Sequence, residues 1–275
     1  MPVSLVTGTS SGMGLHTAVQ LAALGHTVVA TVRDLARADR LLVAAEQAGV
    51  AVQVRVLDVT DHDAGRALVD AVVAEHGGLD VLVNNAGRGA LATAEQLSME
   101  QVREQIETNY LSVVALTKAA LPHMRTAGHG RIVTVTSVGG AVGQPFADAY
   151  CAAKFAVEGF MQSLAPVAER VGVQIAVVEP GAVASDFVAN VDRPGAVDPD
   201  DPYAAMLAAY VARATANFAV AQSSEDAAAV IVEAATIAQH RLRWQTSEGA
   251  GQFVGLSLAD LTGERVLALT RTWIG

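Results

Sequence analysis

The 275-residue sequence predicts an α/β fold, a doubly wound parallel sheet with helices on both faces. Three observations predict it. Short runs rich in Val, Ile and Leu alternate with amphipathic helical patterns from the first residues to about 180. Those runs are nearly unbroken in apolar character, as strands covered on both faces must be. No repeat, low-complexity tract or linker interrupts 1–180, so the alternation belongs to one sheet wound by right-handed crossovers.

In order, the first strand is expected at 3–7, where Val-Ser-Leu-Val-Thr leads in from Met1-Pro2, and a helix follows over 13–24. Strands at 27–32, 52–56 and 80–83 then alternate with helical patterns at 35–48, 62–76 and 98–125. Strands at 131–136 and 173–178 enclose a helix at 148–170. Beyond 180 the pattern loosens. A turn-rich acidic loop at 192–202 precedes helices at about 203–220 and 224–238, a short strand near 242–245 and a last helix around 258–270. The expectation is about seven strands in a single domain over 1–275. Within it, 1–184 forms the core, 185–222 a lid, and 223–275 the C-terminal helices and last strand.

Composition removes several functions. With 52% hydrophobic and 17% charged residues the chain can bury a core and is too apolar to be disordered. A net charge of −10 argues against nucleic acid and against an anionic membrane surface as partners. The longest apolar stretches, such as 17–32, are broken by Gly25 and His26 and fall short of a membrane span. No basic leader or cleavage site precedes the first strand, and the single cysteine, Cys151, permits no intrachain disulfide. A cytoplasmic protein is expected, with Cys151 packed in a helix. The seven histidines have no metal-ligand spacing, so no metal is expected.

Chemistry concentrates in two places. Tyr150 and Lys154 stand four apart on the helix at 148–170 and therefore share a face, with Ser137 thirteen residues before the tyrosine. An ammonium near a phenol favours the phenolate, lowering a pKa that starts near 10 and suiting the group to acid–base work. The chain has only two lysines, Lys118 and Lys154. By itself the pair is better read as part of an exposed amphipathic face, since Tyr and Lys at this spacing occur on many helices. The second place is Thr7-Gly8-Thr9-Ser10-Ser11-Gly12-Met13-Gly14, which closes the first strand and opens the first helix. Glycines there let the backbone approach a dinucleotide pyrophosphate, and the helix N-terminus offers free N–H groups.

Together with Asn84-Asn85-Ala86-Gly87 after the fourth strand, Asn109, and Pro180-Gly181 after the sixth, these motifs resemble the short-chain dehydrogenase/reductase family over nearly the whole chain. Through the segments 29–35 and Arg243-Trp244-Gln245-Thr246 the pattern is nearest to its 17β-hydroxysteroid and retinol dehydrogenase-like members. The resemblance implies a Rossmann-type sheet and a catalytic tetrad of Asn109, Ser137, Tyr150 and Lys154. Ser137 would donate to the substrate carbonyl oxygen, and Tyr150 would deliver or remove its proton. Lys154 would hold the nicotinamide ribose and depress the tyrosine pKa, and Asn109 would anchor a proton-relaying water.

The resemblance also assigns cofactor contacts. Gly8, Ser10, Ser11, Gly12, Met13 and Gly14 would meet the pyrophosphate side. Arg33, Asp58, Val59, Asn85, Ala86 and Gly87 would line the adenosine and sheet-end positions. Tyr150, Lys154, Pro180, Gly181, Val183 and Ser185 would surround the nicotinamide half, Ser185 standing where relatives often have threonine. Members that prefer NAD usually end the second strand with an acid. Here that position is Val32, followed by Arg33, which suits a 2′-phosphate. Asp34 falls one or two places late. NADP(H) is therefore expected, with NAD(H) the alternative. Asp58 fits an adenine contact or a helix N-cap equally.

Substrate walls are expected from 88–96, 138–149 and 185–220, which offer Val142, Phe146, Phe187, Met206, Leu207, Tyr210 and Phe218. Gly139, Gln144, Phe146 and Phe187 are the candidate contacts. Apolar walls suit a hydrophobic ketone or secondary alcohol. The alternatives are an NAD-dependent alcohol dehydrogenase and an NADP-binding regulatory protein without turnover, although a binding module has no use for a tuned phenol. The resemblance implies a homodimer or homotetramer through the helices at 98–125 and 148–170. The small face of Ala152, Ala153, Ala156, Phe160 and Leu164 would serve that interface or the core.

Overall fold

A computed structural model of the protein describes residues 1–186, 191, 201–218, 221–255, 257–262 and 264. The first half runs β1 (Val3–Val6), α1 (Gly12–Ala23), β2 (Thr27–Val32), α2 (Asp39–Gln47), β3 (Gln53–Val56), α3 (His62–His76), β4 (Val81–Asn84), α4 (Met99–Ile106), α5 (Ser112–Ala127) and β5 (Gly130–Val135). The second runs α6 (Asp148–Glu169), β6 (Val173–Glu179), β7 (Val183–Ala184), α7 (Ala204–Phe218), β8 (Gln222–Ser223), α8 (Ser224–Thr236), β9 (Arg243–Gln245) and α9 (Glu248–Gly255).

Seven strands form one parallel sheet in the order β3-β2-β1-β4-β5-β6-β9. Successive strand residues point to opposite faces, so each strand feeds two cores. Leu5, Val29, Leu82, Ile132 and Ile175 pack with Val69 and Val72 of α3, Leu116 and Met124 of α5, and Val157 and Met161 of α6. Their neighbours Val6, Val28, Val83, Val133 and Val178 pack with Leu15 and Leu21 of α1, Leu41 of α2 and Ile231 of α8. This two-sided burial is why the strands read as continuous apolar runs. The chain winds outward from β1 to β3 and returns at β4, so the strand order reverses between β1 and β4. A crevice opens there beyond the strands' carboxyl ends.

Three departures from the expected elements have local causes. The single helix expected at 35–48 is a 3₁₀ turn, Leu35–Arg37, followed by α2, because the Asp34 carboxylate accepts from the Ala36 N–H at 3.0 Å and starts a separate turn. The helix expected at 98–125 opens on a capping box of Ser98 and Gln101. It then widens into a π-turn, Glu107–Leu111, between α4 and α5. α9 was not foreseen, since Gly249, Gly251 and Gly255 dilute its helical pattern. The helix expected around 258–270 and most of the acidic loop at 192–202 lie outside the described residues. Among the described residues no helix is long and apolar enough to cross a membrane, and no three His, Cys, Asp or Glu side chains gather as a metal site.

Candidate active site

The crevice at the switch point is a cleft of about 2400 Å³, several times what a drug-sized ligand needs and enough for a dinucleotide with a second molecule. One wall is the glycine loop. Thr7 ties it to the end of β4: its Oγ1 donates to the Val83 carbonyl at 3.3 Å and accepts the N–H groups of Asn85 at 3.0 Å and Ala86 at 3.1 Å. Asn85 Nδ2 returns the contact, donating to the carbonyls of Thr7 at 2.9 Å and Gly8 at 3.1 Å. A Cβ at Gly14 would lie 2.3 Å from both Asn85 Nδ2 and the Gly8 carbonyl oxygen, so no other residue fits there. Gly12 turns with φ +58°, opening α1 onto the cleft. Ser10, Ser11, Met13, Ala86 and Gly87 line the same wall. This cradle of bare backbone and N-terminal N–H groups fits a pyrophosphate.

At the end of β2, Val32 and the exposed Arg33 line the cleft as expected, and Arg37 joins them from the 3₁₀ turn. Arg37 was not singled out, although Arg33-Asp34-Leu35-Ala36-Arg37 puts two cations one turn apart. Arg40, also on the cleft, pairs with Asp186. Asp58 and Val59 face this corner. Asp58 does not cap α3, for Asp61 does, accepting from Ala64 N at 2.9 Å. Asp58 Oδ1 instead accepts from the Thr60 N–H at 3.0 Å and the Thr60 hydroxyl at 2.8 Å. Those bonds, with a smaller contribution from Arg33, hold its carboxyl below the usual range.

On the opposite wall the sequence-predicted group comes together. Ser137 ends β5 in extended conformation. Its Oγ accepts the Gly139 N–H at 2.9 Å and is hydrogen-bonded to the Tyr150 phenol. Lys154 is buried, with Nζ donating to the Val135 carbonyl at 3.0 Å and lying 5.9 Å from the centroid of the Tyr150 ring. The expected depression of the tyrosine pKa is not found. Burial of the phenol pushes it up to about 12 against the opposing Ser137 bond. Lys154 is itself lowered by burial to about 8, partly offset by Glu158.

Asn109 is fully buried at the centre of the π-turn. Its Oδ1 accepts from the Arg88 N–H at 3.0 Å, while Nδ2 donates to the Arg88 carbonyl at 2.9 Å and to Gln105 Oε1 at 3.0 Å. The side chain is therefore committed to shaping the backbone, and a relay through position 109 has to use its main chain. A Cβ at Gly87 would sit 2.9 Å from Asn109 Oδ1 and 3.7 Å from Lys154 Nζ, which brackets the two residues around that point.

Of the substrate candidates, Gln144 and Phe146 line the cleft, as do Val142, Met206 and Tyr210. Gly139 and Leu207 are not on the wall, although a Cβ at Gly139 would stand 3.3 Å from Ser137 Oγ. Phe187 and the Phe218 side chain lie outside the described residues. Phe146 carries φ +62°, a conformation costing a non-glycine residue about 1–2 kcal/mol. It is held by the bond from Ala92 N to its carbonyl at 2.8 Å and by the Tyr210 ring, 5.7 Å away. Phe253 and Ala250 of α9 add apolar wall that the sequence reading missed. Pro180, Gly181, Val183 and Ser185 line the floor between the two walls. The Gln222 side-chain oxygen, buried at the same edge, has no hydrogen-bond partner.

Comparison with known proteins identifies the family. The family model "short chain dehydrogenase" matches residues 2–195. The chain is 37% identical to retinol dehydrogenase 8 of Bos taurus, over 94% of this chain and 86% of that one. It is 35% identical to 17-beta-hydroxysteroid dehydrogenase type 1 of Homo sapiens, over 99% and 86%. A short chain dehydrogenase/reductase from Burkholderia phymatum, solved in complex with NAD, superposes with a TM-score of 0.81 at 26% identity, covering 94% of this chain and 93% of that one. An actinorhodin polyketide ketoreductase variant solved with NADPH superposes with a TM-score of 0.76 at 30% identity, covering 91% and 97%. The structural neighbours thus include both dinucleotides.

Proposed function

This chain belongs to the short-chain dehydrogenase family of oxidoreductases, and within it we propose an NADP(H)-dependent enzyme that interconverts a hydrophobic ketone and its secondary alcohol. The observation that carries the reading is the meeting of Ser137, Tyr150 and Lys154 opposite the glycine cradle, across one cleft. A bound nicotinamide would supply or accept the hydride at carbon. The residues of this chain do the rest. Ser137 orients the carbonyl oxygen by a hydrogen bond. Tyr150, whose phenol stays protonated at neutral pH, donates the proton that reduction requires. Lys154 presents the only described ammonium near the Tyr150 ring, 5.9 Å from its centroid, and would hold the ribose hydroxyls.

Arg33 and Arg37, beside a valine where an acid would repel phosphate, support NADP(H) over NAD(H). Asp58 would meet the adenine amino group. Val142, Phe146, Met206, Tyr210 and Phe253 support an apolar substrate. A single domain with a lid over 185–222 is part of this reading, and 187–190, 192–200 and 219–220 of that segment lie outside the described residues. The exposed Phe155 and Val167 on α6 and Leu111 beside α5 support pairing of two or four copies through those helices. Ala153 is core and not interface. A cytoplasmic setting suits the single, buried Cys151.

The deciding experiment follows NADPH absorbance over a panel of ketones. Wild type should turn over hydrophobic ketones, and Tyr150→Phe should lose at least about a thousandfold in kcat while binding NADPH normally. Absence of turnover on every ketone and alcohol would leave the regulatory, dinucleotide-binding reading. Val32→Asp with Arg33→Ala should move preference toward NAD by at least roughly 5–30-fold, the one exposed Arg–phosphate bond removed being worth about 1–2 kcal/mol. An unchanged NADP/NAD ratio of catalytic efficiencies would sink the cofactor assignment.

A further inference from the structure

Directly beneath the Tyr150–Lys154 turn lies a buried charge cluster that the proton transfer above does not use. Glu158 follows Lys154 by four residues on α6, so the two share a face. Its Oε1 accepts from Thr136 Oγ1 at 2.5 Å, and its Oε2 stands 3.0 Å from Arg243 Nη1 without an aligned hydrogen bond. The same Nη1 donates to Glu179 Oε1 at 2.5 Å, and Glu179 Oε2 accepts from Gln245 at 2.6 Å. Lys154 and Arg243 are each 5% exposed, Glu158 4% and Glu179 0%. One guanidinium can balance only one of the two carboxylates. With Arg243 set against Glu179, Lys154 and Glu158 must be charged together or uncharged together for the cluster to stay neutral.

We propose that Glu158 is a positioning residue, the counter-charge that keeps Lys154 an ammonium inside the protein, with Arg243 and Glu179 governing the charge of Glu158. This rests on the reading of Lys154 as the cation of the reductase site and deepens it. Burial lowers Lys154 and Glu158 pulls it back up. Burial likewise raises Glu158, and Arg243 is the foremost influence opposing it, followed by Thr136 and Lys154. The other groups facing Lys154 are neutral: the Tyr150 phenol, the Val135 carbonyl and Asn109 behind Gly87. Among the described residues, removing the Glu158 charge therefore leaves no other anion acting on the ammonium.

The sequence makes the test direct, because Lys118, the second of two lysines, is exposed. Isotope-edited lysine NMR of the intact protein should follow Lys154 alone among buried sites, without turnover. In Glu158→Gln the Lys154 titration midpoint should fall by about one pH unit or more, and the alkaline limb of turnover should move with it. Glu158→Asp should restore most of both. Thr136→Val, which leaves the carboxylate but strips a bond favouring its charge, should shift the midpoint the same way by less. It serves where Glu158→Gln fails to fold. A Lys154 midpoint within about 0.3 pH unit of wild type in the folded variant overturns the inference. A shifted midpoint in a protein that reduces no ketone overturns the proposed function alone.

Discussion

Thr7→Val removes one hydroxyl at nearly constant shape, and the structure dictates what is lost. Thr7 is 1% exposed, and its Oγ1 is the acceptor for the N–H groups of Asn85 and Ala86, at 3.0 and 3.1 Å. Valine leaves both N–H groups unpaired. Each unsatisfied buried donor costs about 1–3 kcal/mol, and these half-buried ones belong at the lower end, so roughly 2–4 kcal/mol is expected. At about 2.1 cal/mol/K per residue, a chain of this length should lose about 3–7 °C in Tm. The loop then keeps only the Asn85 Nδ2 bonds to the Thr7 and Gly8 carbonyls, and with its anchor halved NADPH should bind roughly tenfold more weakly by fluorescence titration. Thr7→Ser keeps the acceptor and should behave nearly as wild type. A Thr7→Val protein that melts within 1 °C of wild type, or a Thr7→Ser that falls as far, would refute the reasoning.

Two further outcomes follow from the site. Gly139→Val should cut kcat/KM about 10–100-fold with NADPH affinity unchanged, because a Cβ there stands 3.3 Å from both Ser137 Oγ and the Tyr150 ring. Unaltered steady-state kinetics would mean these side chains have room to move. In wild type, reductive turnover should fall as pH rises through about 8, where Lys154 loses its proton, whereas Tyr150 at about 12 adds no limb in that range. A plateau extending past pH 10 would contradict the buried-lysine account. The same lowering means the folded protein releases this proton before the unfolded chain, whose lysine titrates near 10.5. Lys154 burial is thus most destabilising below about 8, and stability from this group should rise between the two values in urea titrations.

Much of this protein is local in origin and was legible from the chain. Continuous Val/Ile/Leu runs at fixed intervals dictate a two-sided parallel sheet, because only strands covered on both faces need them. The glycine spacing at 8–14, the Asn-Ala-Gly at 85–87 and the Tyr150–Lys154 interval could each be placed at a strand end or on one helix face by counting. Ser137 and Tyr150 were paired by their motif, and the fold brings them into hydrogen-bond contact.

What only the tertiary structure decided is what depends on residues far apart in sequence sharing one dielectric environment. The tyrosine pKa moves up and not down, since burial outweighs simple proximity on the helix. Asn109 spends its side chain on Arg88, and Asp58 yields the helix cap to Asp61, outcomes of loop geometry that no spacing encodes. Glu158, Glu179 and Arg243 come from α6, β6 and β9, with Thr136 just past β5, and nothing in any one of those segments marks its charge as buried. Hydrophobic periodicity specifies where backbone goes. The charge state of a catalytic group is set by the sum of desolvation and every neighbour at once, and that sum exists only after folding.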